Sequence, residues 1–253
     1  SFRCQHFVAQ SKEDLNLFYK SKYVRSDTSL AFKEIHELLK NGNKVLFFGA
    51  PCQNSFLRNF LKGKYGDKLL LIDLICHGVP NNLLFQAYIS YEEKCRQMEI
   101  KSYEFRSKNS PYFINSYSMN GIYIKNSRTK RIKGSQFESA YYNAFKKMAI
   151  LRDECYSCNY KQQKRVGDIT IGDFWGPHNS SLSSFKGVSM ILTDEPLSDD
   201  LIKAMKFEKA IVFEEKMENA LIRNSALVSN KFDLPFLQDK EVNKQIVEGN
   251  GFT

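Results

Sequence analysis

Apolar and polar positions alternate in blocks through the first third of the chain. Ser26 and Asp27 stand before a segment with Ala31, Ile35, Leu38 and Leu39 on one side, and Asn41-Gly42 closes it, which predicts a capped helix. Lys44-Val-Leu-Phe-Phe-Gly49 has an unbroken apolar centre and reads as a buried strand. A short helix is expected around residues 56–61, a second strand over Leu69-Leu-Leu-Ile-Asp-Leu-Ile75, and a further helix from Pro80. Strand, helix, strand, helix in this order implies parallel strands joined by right-handed crossovers.

The rhythm then changes. A helix from residue 80 to about residue 98 places Leu84, Tyr88, Tyr91 and Cys95 on one stripe, so Cys95 is expected in the core. Residues 100–133 show short alternating runs split at Asn120-Gly121 and Asn126-Ser127, the mark of antiparallel strands. Phe137, Tyr141 and Phe145 recur at helical spacing just before Cys155. Asp168-Ile-Thr-Ile-Gly-Asp-Phe-Trp175 and Val188-Ser-Met-Ile-Leu192 read as strands. The expected fold is mixed α/β, a largely parallel sheet with crossover helices plus an antiparallel hairpin insertion. With no repeat or linker in view, a single domain over residues 1–253 is the economical reading.

Composition narrows the class. The 253 residues, 42% hydrophobic and 26% charged, suffice for a real core and exclude a disordered tail or a disulfide-dense miniprotein. The longest apolar run, residues 69–76, is broken by Asp73 and falls far short of the roughly 20 residues of a membrane span. A soluble, cytoplasmic protein is expected. The chain opens on Ser rather than Met and is expected to lack its original start. A net charge of +9 favours acidic partners. The basic residues are nevertheless dispersed. Their densest group, Arg128, Lys130, Arg131 and Lys133, reads as the solvated face of a hairpin, and no nucleic-acid-binding motif accompanies it. No Gly-rich dinucleotide fingerprint and no nucleophile–His arrangement is present.

Six cysteines remain to be explained by spacing. Cys52 follows the first predicted strand and Cys76 the second; parallel strands would bring both to the same carboxyl edge, where open α/β sheets place ligands. Cys155-Tyr-Ser-Cys158 adds a pair whose spacing lets both sulfurs face one metal or cluster. Zinc, an iron–sulfur cluster and a dithiol redox pair all use such a spacing, although a dithiol pair leaves Cys52 and Cys76 without a role. Cys4 has no assignable role.

Four ordered motifs carry a resemblance. Val45-Leu-Phe-Phe-Gly-Ala-Pro-Cys-Gln53, Asp73-Leu-Ile-Cys-His-Gly-Val-Pro80, Cys155-Tyr-Ser-Cys158 and Asp168-Ile-Thr-Ile-Gly-Asp-Phe-Trp-Gly176 closely resemble the coenzyme F-420 hydrogenase/dehydrogenase β-subunit family. The resemblance runs from near Ser11 to about Thr193 and includes Ser21-Lys-Tyr23 and Phe105-Arg106. It implies an iron–sulfur flavoprotein that passes electrons between a 4Fe-4S cluster and FAD, in some members onward to a deazaflavin or tetrapyrrole. It also implies Cys52, Cys76, Cys155 and Cys158 as cluster ligands, and a flavin contact retained at Ser21, Lys22, Tyr23, Gly49, Pro51 and Gln53. Bacterial chains of this kind often belong to surface-polysaccharide loci. A ferredoxin-like domain or protein is the expected electron donor. An N-terminal flavin-site segment and a ferredoxin-like domain are expected to be missing here, which leaves FAD binding by this chain alone in question.

Arg152, Lys161, Lys164 and Arg165 flank the Cys-x-x-Cys pair, where cations would favour a reduced cluster and lower thiol pKa values. His77 follows Cys76 and is the candidate for a hydrogen bond to sulfur or a proton relay. Period two puts Asp168, Thr170 and Gly172 opposite Ile169, Ile171 and Asp173. Trp175 fits a core position better than a flavin stack. The reading from another class is a non-redox zinc-binding or interaction module of a polysaccharide assembly system.

Overall fold

The computed structural model describes residues 2–107, 116–175, 187–222 and 224–227. Two sheets organise them. The first has the order β1 (Val45–Gly49), β2 (Leu69–Leu74), β6 (Ile169–Asp173) and β7 (Ser189–Thr193), with the first three parallel and β7 antiparallel to β6. The second is an antiparallel meander of β3 (Met98–Phe105), β4 (Ser116–Tyr123) and β5 (Thr129–Ser135). A single helical turn, α1 (Leu15–Phe18), precedes both. The mixed α/β expectation, parallel sheet plus antiparallel insertion, is thus met.

Register decides what the first sheet buries. Phe47 pairs with Leu71 on one face, where α2 (Ser29–Lys40) and α3 (Pro51–Phe60) supply Phe32, Ile35, Leu39 and Leu57, and Leu61 just past α3 completes a closed core. Leu46, Phe48, Leu74 and Ile191 share the other face by register and stay 39–51% exposed. The expectation of a buried first strand is met on one side only: β1 alternates, with Phe47 and Gly49 packed under helices and Leu46 and Phe48 exposed. Gly42, at φ +87°, ends α2 in the left-handed region that glycine occupies without a Cβ clash, as Asn41-Gly42 predicts.

A second core joins α4 (Asn82–Arg96) and α5 (Ala140–Lys146) to the meander. Asn81 caps α4 by accepting the Leu84 N–H at 2.7 Å. The buried stripe of α4 is Phe85, Tyr88, Ile89 and Glu92. Leu84 and Tyr91 are exposed, and so is Cys95, which corrects its expected place in the core. The helix is turned about one residue from the expected phase because the Phe85 ring packs against Tyr103, Phe105 and Tyr141 at 5.0–5.7 Å. Glu92 is carried inward and answered by Arg96 Nε at 2.6 Å.

Two local signals are overridden. Asn120 and Gly121 lie inside β4, paired to Arg131 and Lys130, and the turn falls near Ser127, at φ +54°. Gly121 is needed there for space: a Cβ would lie 2.3 Å from the end of Met98 and 2.6 Å from the Glu99 carbonyl oxygen. Phe137 stands on a 3-10 turn outside α5 and is exposed, whereas Tyr141 and Phe145 are buried. Lys130 and Lys133 lie on the exposed outer strand β5, a solvated face as expected.

The core under the first sheet is expected to be sensitive to lost volume. Leu71→Ala should cost about 2–5 kcal/mol in urea unfolding, whereas Leu46→Ala on the open face should cost well under half of that. Equal losses would contradict the one-sided burial of β1.

Candidate functional site

β1 delivers Cys52 and β2 delivers Cys76 to the same carboxyl edge, because the strands are parallel neighbours in register. Cys52 lies in the first turn of α3, with Pro51 at the start and Gln53 closing the turn by accepting the Ala50 N–H at 2.9 Å. Cys155 belongs to the short helix α6 (Asp153–Tyr156), and Cys158 follows it.

Three ties bring these segments together. The first is the loop after Cys76: Gly78, at φ +113°, lies so close to α6 that a Cβ would be 3.0 Å from the Cys155 Cβ and 2.7 Å from Leu151. In the same loop the Val79 carbonyl accepts the Arg152 N–H at 3.1 Å and faces the Cys155 thiol at 3.9 Å. The second is Tyr160, whose hydroxyl donates to Ser55 of α3 at 3.0 Å, within one turn of Cys52. The third is Asp73, fully buried in β2. It accepts from Arg165 Nη2 at 3.0 Å and from the Val166 and Gly167 N–H groups at 3.3 and 3.0 Å. Arg165 also donates to Leu74, Tyr160, Gln162 and Thr170, so its guanidinium fastens the loop beyond Cys158 to the strand that leads to Cys76.

Two of the thiols are shifted by their surroundings. Burial pushes the Cys76 thiol up to about 12, with Cys52, Cys155 and Cys158 adding to the rise, while the Gly78 N–H, 3.4 Å from its sulfur, opposes it. Burial also raises Cys52, helped by Cys158 and Cys155 and opposed by the N–H groups of Cys52 and Gln53 at the start of α3. An electropositive group bound beside Cys52 and Cys76 would relieve the cost that burial places on their ionisation. Among the described residues, no three His, Cys, Asp or Glu side chains gather tightly enough to wrap a single metal ion.

The charged surroundings differ from the sequence pattern. Of the four flanking cations, Arg152 is paired with Glu154, Arg165 is engaged with Asp73, and Lys164 is exposed. Lys161 is buried, its Nζ donating to the Cys155 carbonyl at 2.9 Å. Burial lowers its pKa, and Cys158, Cys76 and Cys155 raise it in return. Burial lowers the His77 imidazole as well, reinforced by Lys161 and Lys146 and opposed by Asp173. Arg106, held at φ +53°, donates to Asp173 at 2.6 Å and so joins the end of β3 to the end of β6. Asp168 lies on the opposite side, bonded to Arg58 and to the Leu71 N–H, as period two predicts. Trp175 is half-buried beside the buried Phe174.

The residues expected at a flavin fall in two neighbouring stretches linked by Gln53, whose amide donates to the Ser26 carbonyl at 3.2 Å. Lys22 Nζ is taken up by the carbonyls of Phe18, Tyr19 and Lys20. Tyr23 stacks on Phe145 at 4.4 Å. Gly49 is closed in by Phe47 and Asn54, Pro51 is buried, and Ser21 is half-buried. Lys22 and Tyr23 are thus tied to neighbouring parts of the chain, and Gln53 joins the two stretches. Asn54 is fully buried beside Gly49 with both amide atoms lacking a partner among the described residues.

Asp73 was legible only as a charge inside an apolar run, a signal that a buried strand must satisfy it. Its partner Arg165 lies 92 residues away and the pairing leaves no local pattern.

The sheet and its cysteine-lined edge define a mixed α/β domain with a thiol-rich site where parallel strands end. The chain belongs to the coenzyme F-420 hydrogenase/dehydrogenase family: residues 42–219 match the model that describes the C terminus of its beta subunit, which makes this a redox domain of the β-subunit type. No curated protein matches the chain.

The buried pair is expected to dominate the site's stability. Asp73→Ala should cost about 3–5 kcal/mol, because it leaves a guanidinium without its buried partner. Arg58→Ala, which breaks the more exposed pair with Asp168, should cost about 1 kcal/mol or less. Denaturant titration of both variants separates the two. Gly78→Ala should lower thermal stability too, since Ala neither favours that φ nor fits against Leu151 and Cys155; an unchanged Tm would remove Gly78 as a packing constraint.

Proposed function

We propose that this chain is an oxidoreductase domain that holds one 4Fe-4S cluster through Cys52, Cys76, Cys155 and Cys158. The observation that carries the reading is the convergence of the strand ends leading to Cys52 and Cys76 with the Cys155-x-x-Cys158 segment, where Gly78 packs against Cys155 and Tyr160 bonds to Ser55, in a chain of this family. The donor set fits the group. Four thiolates supply one ligand per iron, and such sulfurs stand farther apart than the roughly 3.8 Å edge of a zinc tetrahedron with 2.3 Å bonds. The Gly78 N–H already points at the Cys76 sulfur, a hydrogen bond of the kind that tunes ligated sulfur.

When bound, the cluster supplies one-electron transfer. The chain's own residues give it a fixed place. Asp73 and Arg165 hold the Cys-x-x-Cys loop against β2, Gly78 lets the Cys76 loop approach α6, and Tyr160 anchors the same loop to α3. His77, whose imidazole pKa is lowered by burial, Lys161 and Lys146, is the candidate to hold or move a proton beside the site. The electron acceptor is a flavin or another reducible substrate, and the donor a ferredoxin-like domain or protein. A cytoplasmic role in surface-polysaccharide biosynthesis, as one domain of a larger redox system, completes the proposal.

Anaerobic purification with iron and sulfide analysis tests it: about four of each per chain are expected. Zinc at one equivalent without sulfide would replace the reading with the zinc module. Cys52→Ser or Cys76→Ser should abolish the visible absorbance, and Cys95→Ser should leave it intact; identical behaviour of all three refutes the ligand set. Adding FAD to the dithionite-reduced protein then shows whether a flavin accepts the electrons.

A further inference from the structure

Four cations flank the Cys-x-x-Cys pair in sequence, and the fold brings one of them into the thiol set. Lys161 is 3% exposed, its Nζ lies 2.9 Å from the Cys155 carbonyl, and its backbone N–H donates to the Cys158 carbonyl at 3.3 Å, which ties it to both members of the pair. Arg152 and Arg165 are committed to Glu154 and Asp73, and Lys164 faces solvent. A charge in a buried setting acts on its neighbours with little screening, whereas an exposed one is damped by water and salt.

We propose that Lys161 is a positioning residue whose buried charge sets the reduction potential of the group held by Cys52, Cys76, Cys155 and Cys158. The inference rests on the iron–sulfur reading above. Net charge and hydrogen bonding around the sulfurs are among the quantities that set such potentials. An added electron raises the negative charge of the site, and a nearby ammonium stabilises that state more than the oxidised one. Lys161 has two separable effects: the hydrogen bond from Nζ holds the last turn of α6, and the charge acts on the sulfurs.

The test is an EPR-monitored redox titration of the anaerobically reconstituted chain with dithionite as reductant. Lys161→Gln keeps a donor for the Cys155 carbonyl and removes the charge. At the wild-type midpoint its ratio of reduced to oxidised form should fall about tenfold, a shift of about 59 mV to lower potential for one electron. Lys161→Arg should stay near the wild-type value, and so should Lys164→Gln. An unchanged potential in Lys161→Gln overturns the inference while leaving the cluster reading intact. Wild-type protein that takes up no iron and sulfide overturns the cluster reading and this inference with it. If Lys161→Gln and Lys161→Met both melt like the wild type yet assemble no cluster while Lys161→Arg does, Lys161 serves assembly rather than potential and the inference fails.

Discussion

The buried ion pair between Asp73 and Arg165 is the constraint on which the rest of this structure leans. A carboxylate in the middle of a three-strand parallel array is costly to desolvate, and it is tolerated because a guanidinium and two backbone N–H groups converge on it. Those partners all come from the segment between Cys158 and β6. Satisfying one charge therefore fixes the register at which β6 enters beside β2 and the path of the loop that carries the Cys-x-x-Cys pair. The remaining donors of Arg165, to Tyr160, Gln162, Leu74 and Thr170, make the arrangement specific rather than merely neutral.

From that constraint the thiol site follows by geometry. Parallel strands end on the same side, so Cys52 and Cys76 need only short extensions to meet. The second pair arrives from the far side of the meander and is held by close backbone contacts, Gly78 against α6 and Val79 to Arg152. Arg106 and Asp173 pin the meander to the end of β6, which relates the two sheets at the point where Lys146 and Asp173 act on His77. The site sits where three separate stretches of chain are cross-tied, a situation that favours fixed rather than adaptable donor positions.

Several local readings transfer well because their cause is local. The end of α2 at Asn41-Gly42 and the two faces of β6 depend on glycine's conformational freedom and on period two alone. Others fail because a neighbour decides. In α4 two apolar stripes compete, and the aromatic partners of Phe85 select the one that exposes Cys95. At Asn120-Gly121 a sequence that favours a turn is held extended by strands on both sides, and the glycine serves close packing against β3.

The sequence by itself determined the alternation of strands and helices, the order of the cysteine motifs and the family they mark, since each is written in adjacent residues. Tertiary structure decided which face of β1 is covered and which of four cations is buried at the thiols. It also decided which acid meets which base, as in Asp73 with Arg165 and Asp173 with Arg106. These last are matters of burial and distance between segments roughly 70 to 90 residues apart, where the strength of a charge depends on how much water remains around it. No periodicity records that; only the packed chain does.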